Sequence, residues 1–388
     1  MPVPSNLDPT GNEETIVVKK DSLTFKAEES GSTIKLTVDE GNPTVSGLQY
    51  RRSENSSWSP YTIDEVLTLT NVGDIIQFRN VNNQLSSDWD IVKFEMTGKI
   101  SAHGNIYSLL NYPDRLDDIY MTHYGCFHRL FRDCISLLNC PELWSPTLAN
   151  NCYKEICAGC TGLLNARSIA YGKPIELKSH CLEDAFKDCT SLRSGIDLRI
   201  RSFENATYCC KSIYEGCTNL VYPGMILNTI DFSQNALDRA FRNCSSLKYG
   251  VSTTGLTPSS YNYQTLQAGA MYATYAGCTS LTGDVTYLIP RQLRSVNNEA
   301  LYATFSGCTG ITKAVLDMSD ASGANGMAYM FYNCSSLSEL EVSFTSWPYG
   351  LTDWVANVAS SGTFIKPSSL SADYGNDKIP TGWTYQDK

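Results

Sequence analysis

The sequence predicts an α+β chain in which a solenoid of about eight repeats, each 26–34 residues long, follows a small all-β sandwich. Three observations carry this. Cys134, Cys160, Cys189, Cys217, Cys244, Cys278, Cys308 and Cys334 recur at intervals of 26, 29, 28, 27, 34, 30 and 26 residues. Three positions after each stands Leu or Ile, and three before it an aromatic in seven copies of eight, Cys157 being the exception. A period of roughly 20–50 residues with fixed apolar anchors marks a stacked array. Upstream, between Thr15 and Thr97, the repeat gives way to short alternating segments separated by turn residues.

Taken in order, residues 1–14 carry Pro2, Pro4, Pro9 and Gly11 and read as an arm without a core of its own. Residues 15–98 hold about seven strand-like runs, among them Leu23–Ala27, Thr33–Val38, Asp74–Arg79 and Ile91–Met96, the pattern of a β-sandwich. Residues 99–125 form a junction whose apolar side chains are expected to cap the first coil, because a terminal repeat needs a different outer face.

The array occupies 126–344. Seven residues before each anchor stands a large or soft apolar residue, such as Phe127, Leu237, Leu301 or Met327. Positions minus seven, minus four and minus three then form a stripe at helical spacing, which predicts a two-turn helix. The residue before the anchor is always Gly, Asn or Asp, the types that tolerate a left-handed stop. Position minus eight holds only small side chains: Cys126, Cys152, Cys181, Cys209, Ala236, Ala270, Ala300 and Gly326. Runs such as Ala314–Met318 and Leu340–Phe344 alternate as strands do. Residues 345–388 lose the anchor cysteine, gain tryptophans and read as a degenerate repeat and closing cap.

Composition narrows the function. A net charge of −10, with no basic run beyond Lys19-Lys20 and Arg51-Arg52, argues against a nucleic-acid partner. No stretch of 18 apolar residues spans a membrane, and Met1-Pro-Val-Pro-Ser-Asn6 has no export signal. Twelve of the fifteen cysteines fall on the anchor or minus-eight positions, where adjacent copies point the same way about 4.8 Å apart; buried thiols are expected, not disulfides.

No catalytic, cofactor or metal site emerges. Cys157-Ala-Gly-Cys160 has redox or zinc spacing, yet both cysteines are repeat positions. His123 and His128, near Cys126 and Cys134, are the one conceivable metal cluster, weighed against ordinary surface histidines; His103 and His180 stand apart. Five of the 23 tyrosines, Tyr249, Tyr261, Tyr263, Tyr287 and Tyr349, fall outside the stripe and are candidates for a binding surface, with ordinary loop tyrosines of at least equal weight.

The Met/Leu-x-x-x-Phe-x-Gly/Asn-Cys-Thr/Ser-x-Leu unit, with the closing Gly362-Thr-Phe-Ile-Lys-Pro-Ser-Ser-Leu370 and Ile379-Pro-Thr-Gly-Trp383, resembles the BspA-like leucine-rich-repeat family of Bacteroidetes surface proteins and their phages. Cys157, Thr274 and Thr304 depart from that pattern. The resemblance implies a leucine-rich-repeat solenoid, no catalytic residues, and adhesion to a protein or glycan on a cell surface. Two expectations follow. One is a phage virion head or tail fibre or decoration protein, attached to other virion proteins through its N-terminal region and lying on the virion surface. The other is a bacterial cell-surface adhesin with its signal segment removed. The Met1 start without an export signal favours the virion expectation. A trimer would suit a displayed fibre, although no residue pattern marks an oligomer seam.

Overall fold

A computed structural model describes residues 22–82, 85–87, 89–110, 124–143, 147–166, 169, 174–256, 265–319, 321 and 323–388. Two sheets open the chain. One is antiparallel and three-stranded, in the order β5 (Leu67–Leu69), β2 (Ser32–Glu40), β7 (Ile91–Thr97). The other runs β4 (Ser59–Pro60), β3 (Leu48–Arg51), β6 (Ile75–Asn80), β1 (Leu23–Ala27), β8 (Ile100–His103), β9 (Leu137–Asn139). Phe25, Phe78 and Phe94 meet edge to face between them, with centroids 4.9–5.9 Å apart. The expected run Thr15–Lys20 lies outside the described residues, as does 111–123 of the expected junction.

Behind these sheets rises a β-solenoid of about seven turns. Its short strands stack in parallel in three groups. These are β10 (Ile175–Glu176), β11 (Leu198–Ser202), β12 (Met225–Leu227); then β13 (Thr265–Leu266) with β15 (Ser295–Val296); then β14 (Thr282–Asp284), β16 (Gly310–Leu316), β17 (Glu339–Val342), β18 (Thr363–Lys366), β19 (Thr384–Asp387). The strand runs at Ala314 and Leu340 fall in β16 and β17 with Ala314 paired to Leu340.

The expected helices do not form, so the α half of the α+β expectation is corrected. Among the described residues regular helix is limited to two 3-10 turns, Ile106–Leu109 and Thr286–Leu288. In place of each helix stands a staircase of four-residue turns. Backbone φ is positive at nine, five and one residues before each anchor, for example Glu299, Ala303 and Gly307. The backbone therefore divides its donors. In the coil ending at Cys308, the N–H groups of Tyr302, Thr304, Ser306 and Cys308 bond back three residues. Those of Leu301, Ala303, Phe305 and Gly307 instead reach the carbonyls of Gly326, Ala328, Met330 and Tyr332 in the next coil, at 2.8–2.9 Å. An α-helix would keep all its donors within the segment and leave a coil nothing to bind its neighbour with.

A four-residue period puts minus eight, minus seven, minus four, minus three and the anchor inside. The minus-three aromatics stack: Phe186, Tyr214, Phe241, Tyr275, Phe305 and Phe331 follow one another at 5.5–5.8 Å and within 20° of parallel. Cys157 interrupts the column, and its sulfur lies 3.6 Å from that of Cys140. Strand β7 supplies the rung below the first coil: Phe94 stacks on Phe131 at 5.6 Å and its N–H bonds to the Leu130 carbonyl at 2.8 Å. At the far end Trp354 tilts 57° off Phe331 and closes the column. The indoles of Trp347, Trp354 and Trp383 donate to the carbonyls of Ser371, Lys378 and Ala359.

Ala303, half-buried at φ +50°, gives a test with opposite signs for the two backbones. Ala303→Gly removes a left-handed penalty and should stabilise the chain by about 0.5–1 kcal/mol in denaturant unfolding. In a helix the same change costs about 1 kcal/mol, so a loss of that size would mean the staircase is wrong.

Candidate functional site

The eight anchor cysteines are structural. Each is buried, and each aims its Sγ at the carbonyl of the minus-three residue one coil earlier: Cys160 at Phe131, Cys189 at Cys157, Cys217 at Phe186, Cys244 at Tyr214, Cys278 at Phe241, Cys308 at Tyr275 and Cys334 at Phe305, at 2.9–3.1 Å. Cys134 does the same to Phe94 of β7 at 2.9 Å. Burial pushes the thiols of Cys134, Cys189, Cys217, Cys244, Cys278, Cys308 and Cys334 up, Cys244 and Cys308 to about 12, which keeps them protonated and able to donate. Thr274 and Thr304 repeat the contact four residues earlier, donating to Leu237 at 2.8 Å and Met271 at 3.0 Å. All fifteen cysteines are buried thiols, Cys157 and Cys160 included.

Among the described residues the histidines do not gather. His128 lies 3.5 Å from Glu155, His180 is bonded to Glu183 at 2.7 Å and stacked on Tyr208, and His123 falls outside the described residues. Among the described residues no three metal-ligating side chains converge, and no helix is long and apolar enough to cross a membrane.

Stacking extends to the outside of the coils. Early coils carry a charge column, in which Lys154 and Lys211 flank Glu183 at 2.9 and 3.0 Å and Lys187 and Arg242 flank Glu215 at 3.4 and 3.5 Å. Burial opposes the ionisation of Glu183, yet hydrogen bonds from Lys154, His180 and Lys211 hold its carboxyl down at about 2. Burial opposes Glu155 likewise, and His128, Arg129 and Arg132 hold it at about 2. Asp238 is the weak rung. Burial lifts it to about 6 against the pull of Arg239 and Lys211, and its buried Oδ1 has no hydrogen-bond partner among the described residues. Above it the column turns aromatic: Arg239 lies 5.0 Å over Tyr272, which stacks on Tyr302 at 4.7 Å.

Two of the five sequence-nominated tyrosines, Tyr249 and Tyr287, lie close enough to influence each other electrostatically. Tyr249 stacks on Tyr222 at 5.2 Å and 7°, each about half exposed. The next residue, Gly250, bonds through its backbone to the phenol of Tyr287, which lines a cleft; Tyr249 neighbours that cleft without lining it. This cleft, of about 280 Å³, is walled by Thr253, Thr254 and Gly255 on one side and Asp284, Thr286, Tyr287 and Arg291 on the other. The Thr253 hydroxyl fastens the walls, reaching the carbonyls of Tyr287 at 3.1 Å and Ile289 at 2.9 Å. Tyr349 stands 97% exposed in the loop after Phe344, away from the cleft lining, and Tyr261 and Tyr263 lie outside the described residues. Tyr222, Asp284, Thr286 and Arg291 escaped the sequence reading. Only the shared place of Tyr222 and Tyr249, five residues after an anchor, signals their stack.

No family model, curated protein or solved structure matches the chain.

Two measurements probe this chemistry. Native protein at pH 8 should leave its fifteen thiols unreacted toward Ellman's reagent for minutes and release all of them on denaturation; rapid native labelling would disprove their burial. Asp238, raised above its unfolded value of about 3.9, disfavours the folded state above pH 6 and ceases to do so as pH falls toward 4. Asp238→Asn should therefore add about 1–2 kcal/mol of stability at pH 8 and almost none near pH 4, read by denaturant midpoints across pH.

Proposed function

We propose that the chain is a non-catalytic binding protein of the BspA-like leucine-rich-repeat kind, displayed on a phage virion as a fibre or decoration component. The observation that carries the binding reading is the Tyr222–Tyr249 stack beside the Asp284–Arg291 cleft, where aromatic area and hydrogen-bonding groups are presented on a rigid scaffold. Stacked coils make extended surfaces suited to adhesion. The fifteen thiols bear on the route to display. A chain that folds in a reducing cytoplasm and leaves by lysis keeps its cysteines reduced, whereas export passes an oxidising compartment. That favours a virion component over an exported bacterial adhesin. The sandwich, continuous with the array through β7 and β8, would hold it on the particle through other virion proteins.

Antibody labelling and cryo-imaging of purified particles from the native source should find the chain at the virion surface. Its absence from particles together with presence on the bacterial envelope would overturn the virion reading in favour of the adhesin.

A further inference from the structure

The coils place like positions one above another, so a surface column continues until a coil withholds its side chain. Five residues after the anchors of Cys217, Cys244 and Cys278 stand Tyr222, Tyr249 and Gly283. The two tyrosines stack, but Gly283 offers no ring, and a Cβ built on it would meet none of the described residues within 4 Å. At φ +79° the position suits glycine. The column thus stops at Tyr249, with open space at the next coil, beside the cleft.

The groups around that space are of mixed sign and fixed. Asp284 spends Oδ1 on the Thr286 N–H at 2.8 Å and keeps Oδ2 as an acceptor. Arg291 is about half exposed, and its guanidinium lies 3.7 Å from Asp317. Among the described residues the Thr286 Oγ1, at the cleft wall, has no hydrogen-bond partner and is buried. A simple anion would meet the Asp284 carboxylate, and a simple cation the Arg291 guanidinium. A neutral ligand with adjacent hydroxyls can donate to the one, accept from the other and lay an apolar C–H face on a tyrosine ring. A cleft of about 280 Å³ is smaller than the roughly 300–1,000 Å³ that holds drug-sized ligands, which suits a single ring.

We infer that this cleft, with Tyr249, is a subsite for one residue of a neutral glycan. The inference rests on the binding reading above and names its ligand class. Asp284 accepts from one ring hydroxyl, Arg291 donates to another, and Tyr249 carries the C–H face. Recognition of this kind is insensitive to salt, unlike that of a charged partner.

The test is native electrophoresis of the full chain through gels containing dextran, mannan, a β-glucan or a galactan. At least one should retard the chain, equally at low and high salt. Tyr249→Ala and Asp284→Asn should each weaken that retardation about tenfold, as expected for loss of one stacked ring or one charged hydrogen-bond partner. Val72→Ser, an exposed change in the turn between β5 and β6, should leave it unaltered. Thermal midpoints close to that of the parent would show both site variants folded. Retardation by none of the four, or undiminished in both site variants, overturns the inference. If the chain is on particles yet no gel retards it, the glycan subsite fails and display stands. If a gel retards it and particles lack it, the reverse holds.

Discussion

The fold depends on how each coil divides its backbone donors. With a left-handed residue at every fourth position, alternate N–H groups close local turns and the others are free to reach the next coil. Neither set alone would suffice. Local turns without outward donors give isolated loops, and outward donors without turns give an ordinary strand that cannot curve round a core in so few residues. The cost is a series of non-glycine residues at positive φ, each unfavourable by about 1 kcal/mol. Packing of the minus-seven and minus-three side chains, fully buried in coil after coil, offsets it.

The same division explains the cysteines. Outward N–H groups point toward the C-terminal neighbour, so the minus-three carbonyl, already bonded within its turn, faces a neighbour that has no N–H left to offer it. The thiol one coil later supplies a weak donor from a side chain small and apolar enough for the interior. Threonine at 274 and 304 meets the same need at the minus-seven carbonyl. Residues that look like departures from the repeat therefore obey its hydrogen-bond logic. The array also needs a first rung that behaves like a coil, and Phe94 of β7 provides one by offering ring, N–H and carbonyl in register.

Much of this was legible in the sequence, and the rest was hidden for physical reasons. The anchors, the small minus-eight position, the strands at Ala314 and Leu340 and the left-handed residue before each cysteine could be read from residue types alone. The helix could not be rejected, because over eight residues a period of four and a period of 3.6 select the same apolar positions. Only the second left-handed position, five before the anchor, separates them, and there the chain uses Arg129, Glu155, Ala303 and Tyr329, none of which advertises positive φ. Phe94 lies outside the repeat, so nothing in the spacing announced its role. At the candidate site, Tyr249 and Tyr287 could be nominated as tyrosines off the stripe. Asp284, Thr286 and Arg291 became visible only when a turn brought 253–255 against 284–291.

Where the cleft lies follows from the ladder itself. Positions before the anchor cannot accept extra residues, since each carries a rung of the inter-coil bonding. Residues added between the end of one staircase and the start of the next disturb no rung, and lengthening a loop is entropically cheap, about 0.6 kcal/mol per doubling. The longest interval between anchors, 34 residues from Cys244 to Cys278, falls there, and its 251–256 segment forms one wall of the cleft. Gly283 in the following coil stops the surface column at the same place. A recess on a stacked array needs both events, an insertion to raise a wall and a missing side chain to leave the space, and in this chain they coincide beside Tyr249.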